Sequence, residues 1–182
     1  MATGQADPQR RERILAATLD LIADDGVPGV SHRKIAVRAK VPLGSMTYHF
    51  DGMDELLREA FTLFASHIVA VFERHLTGVE TVEQARDAVT DLIHTLSEGP
   101  RRDLILGQEL YTLAARRPEY RELTQAWMLR SRALLERYFD PETARQVDAL
   151  IEGMTLHRAL DHEPHPRALT REAVGRLTAD HR

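Results

Sequence analysis

The sequence predicts an all-α fold of about nine helices. Three observations carry this: apolar residues recur at spacings of three and four, β-branched alternation is absent, and aromatic residues make up only 5% of the chain. With 182 residues the chain can form one large domain, or a small domain joined to a medium one.

The first helix is expected from Gln9 to Asp24, with Ile14, Leu15, Leu19 and Ile22 along one side. Asp25-Gly26 and Pro28-Gly29 then end it in a turn. Ser31 is placed as the N-cap of a short helix through Ala39, with Ile35 and Ala39 facing inward. Lys40-Val41-Pro42 breaks that helix, and a third short one follows from Leu43 to Phe50. Asp51 is expected to cap a long helix from Met53 to Leu76, carrying Leu56, Leu57, Phe61, Phe64, Ile68, Val71 and Phe72. Further helices are read at 80–97, 101–116, 119–138, 142–160 and 168–179. Gly78, Gly99-Pro100, Pro118, Asp140-Pro141 and the segment 161–166 punctuate them. There is no internal repeat and no low-complexity linker. The organisation predicted is a three-helix domain over 1–52 and a helical domain over 53–182.

The net charge is −4, which on its own argues against a nucleic-acid partner. The charge is unevenly spread, however. Residues 1–50 hold seven Lys/Arg and five acids, a net of +2, and residues 51–182 carry a net of −6. A small basic head on an acidic body fits phosphate recognition, which depends on the local field. With no cysteine there is no disulfide, thiolate metal site or cysteine nucleophile. No signal peptide and no membrane span is read, so a cytoplasmic location without membrane contact is expected.

Val30 to Phe50 is the informative stretch. Two helices of about two turns, separated by three or four residues, form the unit whose second helix can enter a DNA major groove. Gly44, Ser45 and Thr47 are small or hydrogen-bonding residues suited to approach base edges. Met46 and Phe50 should turn back toward Leu19, Ile35 and Val41, leaving Tyr48 and His49 at a rim where they can meet phosphate. Ser31, His32 and Arg33 open the preceding helix, where free backbone amides also favour an anion.

These residues carry a resemblance. Arg11-x-x-Ile14-Leu15-x-Ala17, Leu21-Ile22-x-x-x-Gly26, Val30-Ser31-x-x-x-Ile35-Ala36-x-x-Ala39 and Gly44-x-x-x-Tyr48-His49-Phe50 resemble the DNA-binding domain of the TetR family of one-component regulators. Asp51-Gly52-Met53-Asp54-Glu55-Leu56-Leu57 is similar to the start of that family's fourth helix. The resemblance spans about residues 9–60. It implies a homodimer of helical subunits that binds a palindromic double-stranded DNA operator and answers to a small organic effector. It also implies base-facing positions at Arg33, Leu43, Gly44, Ser45 and Thr47, and phosphate-contacting ones at Ser31, His32, Tyr48 and His49. Two departures stand out. Lys40 occupies a position where the family usually carries glycine, so either the lysine is forced into an uncommon backbone geometry or the turn is reshaped. Met53 stands where a lysine is usual, which implies about one phosphate contact fewer per subunit.

Beyond residue 52 the expectations are broader. Val147, Leu150, Ile151, Met154, Leu169, Val174 and Leu177 form two apolar stripes, either a dimer interface or a core within one subunit. Phe64, His67, His94, Gln108, Tyr111, Trp127 and Tyr138 are polar or aromatic residues on apolar faces. They are candidates for an effector pocket, or for ordinary core and surface positions. His157, Asp161, His162, Glu163 and His165 are metal-capable types, but two prolines interrupt them and a polar loop is the favoured reading. No cofactor or metal is expected, and no catalytic constellation stands out. A ligand-responsive regulator, most plainly a repressor, is the function read. The alternative is a small-molecule-binding helical protein, or an enzyme, without operator binding.

Overall fold

The computed structural model describes residues 9–179. Among these the helices are α1 (Arg10–Asp25), α2 (His32–Ala39), α3 (Gly44–His49), α4 (Gly52–Leu76), α5 (Val82–Ser97), α6 (Arg101–Arg116), α7 (Pro118–Leu135), α8 (Pro141–Leu160) and α9 (Arg167–Leu177). A 3₁₀ turn at Val27–Gly29 follows α1. No helix among the described residues is long and apolar enough to cross a membrane.

The chain forms two compact units. The first takes the described residues up to Phe64 together with Ile105–Leu123. In it α1 packs on α2, and Ile14, Leu19, Ile22, Ile35, Ala39, Val41, Met46 and Phe50 are buried as a small core. The expected inward positions of α1, α2 and α3 are thus the observed ones. Ser31 caps α2 by accepting the Lys34 N–H at 3.3 Å. Gly26 starts the 3₁₀ turn at a φ of 70°. A Cβ on Gly29 would sit 2.5 Å from that of Asp25, so no larger residue fits there without a backbone shift.

α2 ends in a paired hydrogen-bond motif. The Lys40 N–H donates to the Val37 carbonyl at 3.2 Å and the Val41 N–H to the Ala36 carbonyl at 3.0 Å. This Schellman geometry needs a left-handed residue, usually glycine, at the position Lys40 occupies. Lys40 adopts it, with φ 54° and ψ 47°. The turn is therefore kept at the cost of an unfavourable lysine backbone, and is not reshaped.

The second unit takes Ala65–Leu104 and the described residues from Thr124 onward. α5 packs on both α8 and α9, and α8 on α9. A capping box, Thr81 with Gln84, starts α5, and Asp140 caps α8 by accepting from the Glu142 and Thr143 N–H groups. The expected 119–138 helix is shorter than read: α7 ends at Leu135, and the Tyr138 hydroxyl donates to the Val79 carbonyl at 3.0 Å. α9 is tied to α5 by Arg171 with Glu83 and Asp87, and by Arg167 with Asp91.

Candidate nucleic-acid interface

The surface of α2 and α3 follows from which of their faces the small core takes. On α2 the core takes Ile35, Ala36 and Ala39, leaving Arg33 and Val37, four residues apart, exposed on another face. On α3 it takes Ser45, Met46 and the following Phe50, leaving Leu43, Gly44, Thr47 and Tyr48 exposed. Thr47 Oγ1 donates to the Gly44 carbonyl at 3.2 Å. No heavy atom would lie within 4 Å of a Cβ added to Gly44, so the approach to that backbone is open.

Ser45 departs from expectation: it is 6% exposed, because the first turn of this six-residue helix sets it beside Met46 against the core. A base-facing role for Ser45 does not fit that placement. The exposed set is Arg33, Leu43, Gly44 and Thr47. At the rim, Tyr48 is exposed and stands edge-on to half-buried His49, ring centroids 4.9 Å apart. His32 is half-buried and Ser31 exposed, its hydroxyl already engaged as a cap.

Five of the seven cations in residues 1–50 fall into two groups. Lys34 pairs with Asp25 at 2.9 Å and also donates to the Gly29 carbonyl. Its ammonium holds the Asp25 carboxyl below the usual range. Arg38 pairs with Asp24 at 2.9 Å, while Arg11 pairs with Glu59 and lies over the Phe50 ring. Arg33 and Lys40 are exposed and have no acidic partner among the described residues. Those two cations remain available to an incoming polyanion.

A link between α6 and the head lies within the first unit. The Val27 N–H donates to the Glu109 carboxylate at 3.2 Å, and Gly26 lies so close that a Cβ there would be 3.3 Å from Glu109 Oε1. Sequence reasoning missed Glu109, because residues 82 apart meet here without any local signal. It also missed Val37, which the four-residue spacing from Arg33 could have revealed.

Of the pocket candidates, Phe64, Gln108 and Tyr111 fall in the first unit, with Phe64 buried and Gln108 exposed. The other four fall in the second. His67 is exposed, 3.6 Å from the Asp103 carboxylate. His94 Nε2 lies 3.0 Å from Thr170 Oγ1, and burial, helped by the Arg158 cation, pulls its pKa down. Trp127 is half-buried, and the Tyr138 hydroxyl is committed to backbone carbonyls.

The C-terminal stripes are divided between two roles. Val147, Ile151 and Val174 are buried within the subunit, where α5, α8 and α9 pack together, so they do not offer a surface to a second copy. Leu150, Met154 and Leu177 are half-buried, and Leu169 and Leu160 are exposed. Leu156, His157, Leu160 and Asp161 line an open depression of about 330 Å³ on α8.

A helix-turn-helix with an exposed α3 stripe, followed by a larger helical unit, defines a DNA-binding transcriptional regulator. The comparisons place it further. Residues 14–60 match the family model described as bacterial regulatory proteins, tetR family, and residues 80–180 match tetracyclin repressor-like, C-terminal domain. The chain belongs to the TetR family, whose members regulate transcription rather than catalyse, and it is a ligand-responsive DNA-binding regulator. It is similar to the crystal structure of SCO7518 from Streptomyces coelicolor A3(2), described as a transcriptional regulator. The identity is 68% over 94% of this chain and 99% of that one, with a TM-score of 0.91. It is also similar to the multidrug binding protein EbrR complexed with ethidium, at 36% identity over 94% and 99% of the two chains, TM-score 0.76. Among curated relatives, the transcriptional regulator BetI 1 of Chromohalobacter salexigens is 28% identical, covering 84% of this chain and 80% of its own.

Proposed function

We propose that the protein is a repressor that binds a palindromic operator as a homodimer and is released by a small organic effector. The observation that carries the operator reading is the exposed Arg33, Leu43, Gly44 and Thr47 set, flanked by Tyr48 and His49. In functional terms residues 1–52 read DNA and 53–182 sense and dimerise. Two copies place two α3 helices about one turn of B-DNA apart, and occupancy blocks transcription.

Exposed Leu160 and Leu169, with half-buried Leu156 beside Leu160 in one depression, support a face covered by a second copy. Effector release follows from differential affinity: a ligand shifts the population only as far as it prefers the pose that DNA does not. The Glu109 bond to Val27 supports a route from α6 to the turn before α2.

The likeness to EbrR, complexed with ethidium, malachite green and proflavin, supports an aromatic effector. A calorimetric titration with malachite green, run without DNA, tests that class directly. Saturable binding at micromolar concentration is expected. No heat and no dye retained on dialysis would remove this effector class while leaving operator binding standing.

A further inference from the structure

Val37 on α2 is 73% exposed, so packing within the subunit does not account for it. Leu43, at the start of α3, is 55% exposed. A single exposed apolar side chain needs no explanation. These two sit in a particular setting. Arg33, Val37 and Lys40 follow one another at spacings of four and three, and Arg33 and Lys40 are the cations without acidic partners described above. Val37 lies between the two cations along the chain and is exposed as they are, so a polyanion drawn to both approaches it as well. On α3, Leu43 stands four residues before Thr47, so the exposed stripe of the second helix also begins with an apolar group.

Burying an apolar side chain against polar base edges strips those edges of water and returns no hydrogen bond. The major groove offers one apolar group that avoids this, the C5-methyl of thymine. We propose that Val37 and Leu43 read thymine methyl groups, so that each operator half-site carries thymine at the positions facing them. This rests on the operator reading above and names the bases involved. It also suits a head of low charge, in which fitted contacts carry more of the binding than bulk attraction does.

The test uses the operator selected from random DNA by the full-length protein. Thymine is replaced by deoxyuridine, one position at a time in both half-sites, and affinity is read by fluorescence anisotropy. Each lost methyl should weaken binding about fourfold, the equivalent of roughly 0.8 kcal/mol. A symmetric pair should therefore weaken it by about fifteenfold at one or two positions per half-site. In Val37→Ala one of these penalties should fall below about twofold, and in Leu43→Ala the other. Both residues are exposed, so an unchanged melting temperature confirms that the variants are folded. Deoxyuridine tolerated at every position, or penalties that persist in both variants, would overturn the proposal and leave operator binding intact. Failure to select any operator would overturn the operator reading as well.

Discussion

Replacing Lys40 by glycine should make the protein more stable. Lys40 sits at φ 54° and ψ 47° because the end of α2 requires a left-handed residue to close two hydrogen bonds. Left-handed backbone costs a residue with a Cβ about 1–2 kcal/mol. Glycine removes that cost but gives the unfolded chain more freedom, returning roughly 0.5–1 kcal/mol. Pairing the low ends and the high ends of these two ranges leaves a net gain of about 0.5–1 kcal/mol. For a chain of 182 residues each kcal/mol moves the melting midpoint by about 2–4 °C, so a rise of about 1–4 °C is expected. Lys40→Ala is the control. It removes the same long side chain and charge but keeps the Cβ at positive φ, so it should stay within about 0.5 kcal/mol of the parent. Thermal and urea midpoints by far-ultraviolet circular dichroism measure all three proteins. A Lys40→Gly midpoint at or below that of Lys40→Ala would refute the strain argument.

Tyr48→Phe removes an exposed donor at the rim and should weaken operator and random DNA alike, by about tenfold in a gel shift; Thr47→Ala should instead relax the consensus at one base pair per half-site. Leu160→Glu places a charge on a residue 66% exposed within the subunit. Light scattering at micromolar concentration should find about twice 20.6 kDa for the parent and a shift toward 20.6 kDa for the variant; a monomeric parent would end the homodimer proposal. Burial raises the Asp148 carboxyl from 3.8 to about 6, against the Arg132 hydrogen bond at 2.9 Å. The folded state then holds a proton that the unfolded state releases between those values. This stability is full below the unfolded value and is lost as pH rises through about 6. Asp148→Asn should remove that dependence, so urea midpoints of parent and variant that change in parallel from about pH 4 to 7 would contradict it.

The helices were legible because glycine and proline punctuate them so regularly. Gly99-Pro100, Pro118 and Asp140-Pro141 each fall where one helix gives way to the next. Ser31 was readable as a cap because only its own local geometry is involved. Ser45 was not, since in a six-residue helix a shift of one position carries a side chain from groove to core. The stripes on α8 and α9 read equally well as core or interface. Only the packing of α5 against both shows that Val147, Ile151 and Val174 are interior while Leu160 and Leu169 are not. Glu109 with Val27, and Arg171 with Glu83 and Asp87, join residues too distant in sequence for any periodicity to announce them.

The acidic total of the chain conceals its partner, because Arg33, Lys40 and the exposed α3 stripe act locally. Selection of genomic or random DNA by the full-length protein, followed by sequencing, tests the operator claim most directly. The expected product is one palindrome whose half-sites lie about one helical turn apart, on the order of 10 base pairs centre to centre. Recovered sequences with no enrichment over the input pool, or with a single unpaired half-site, would contradict it.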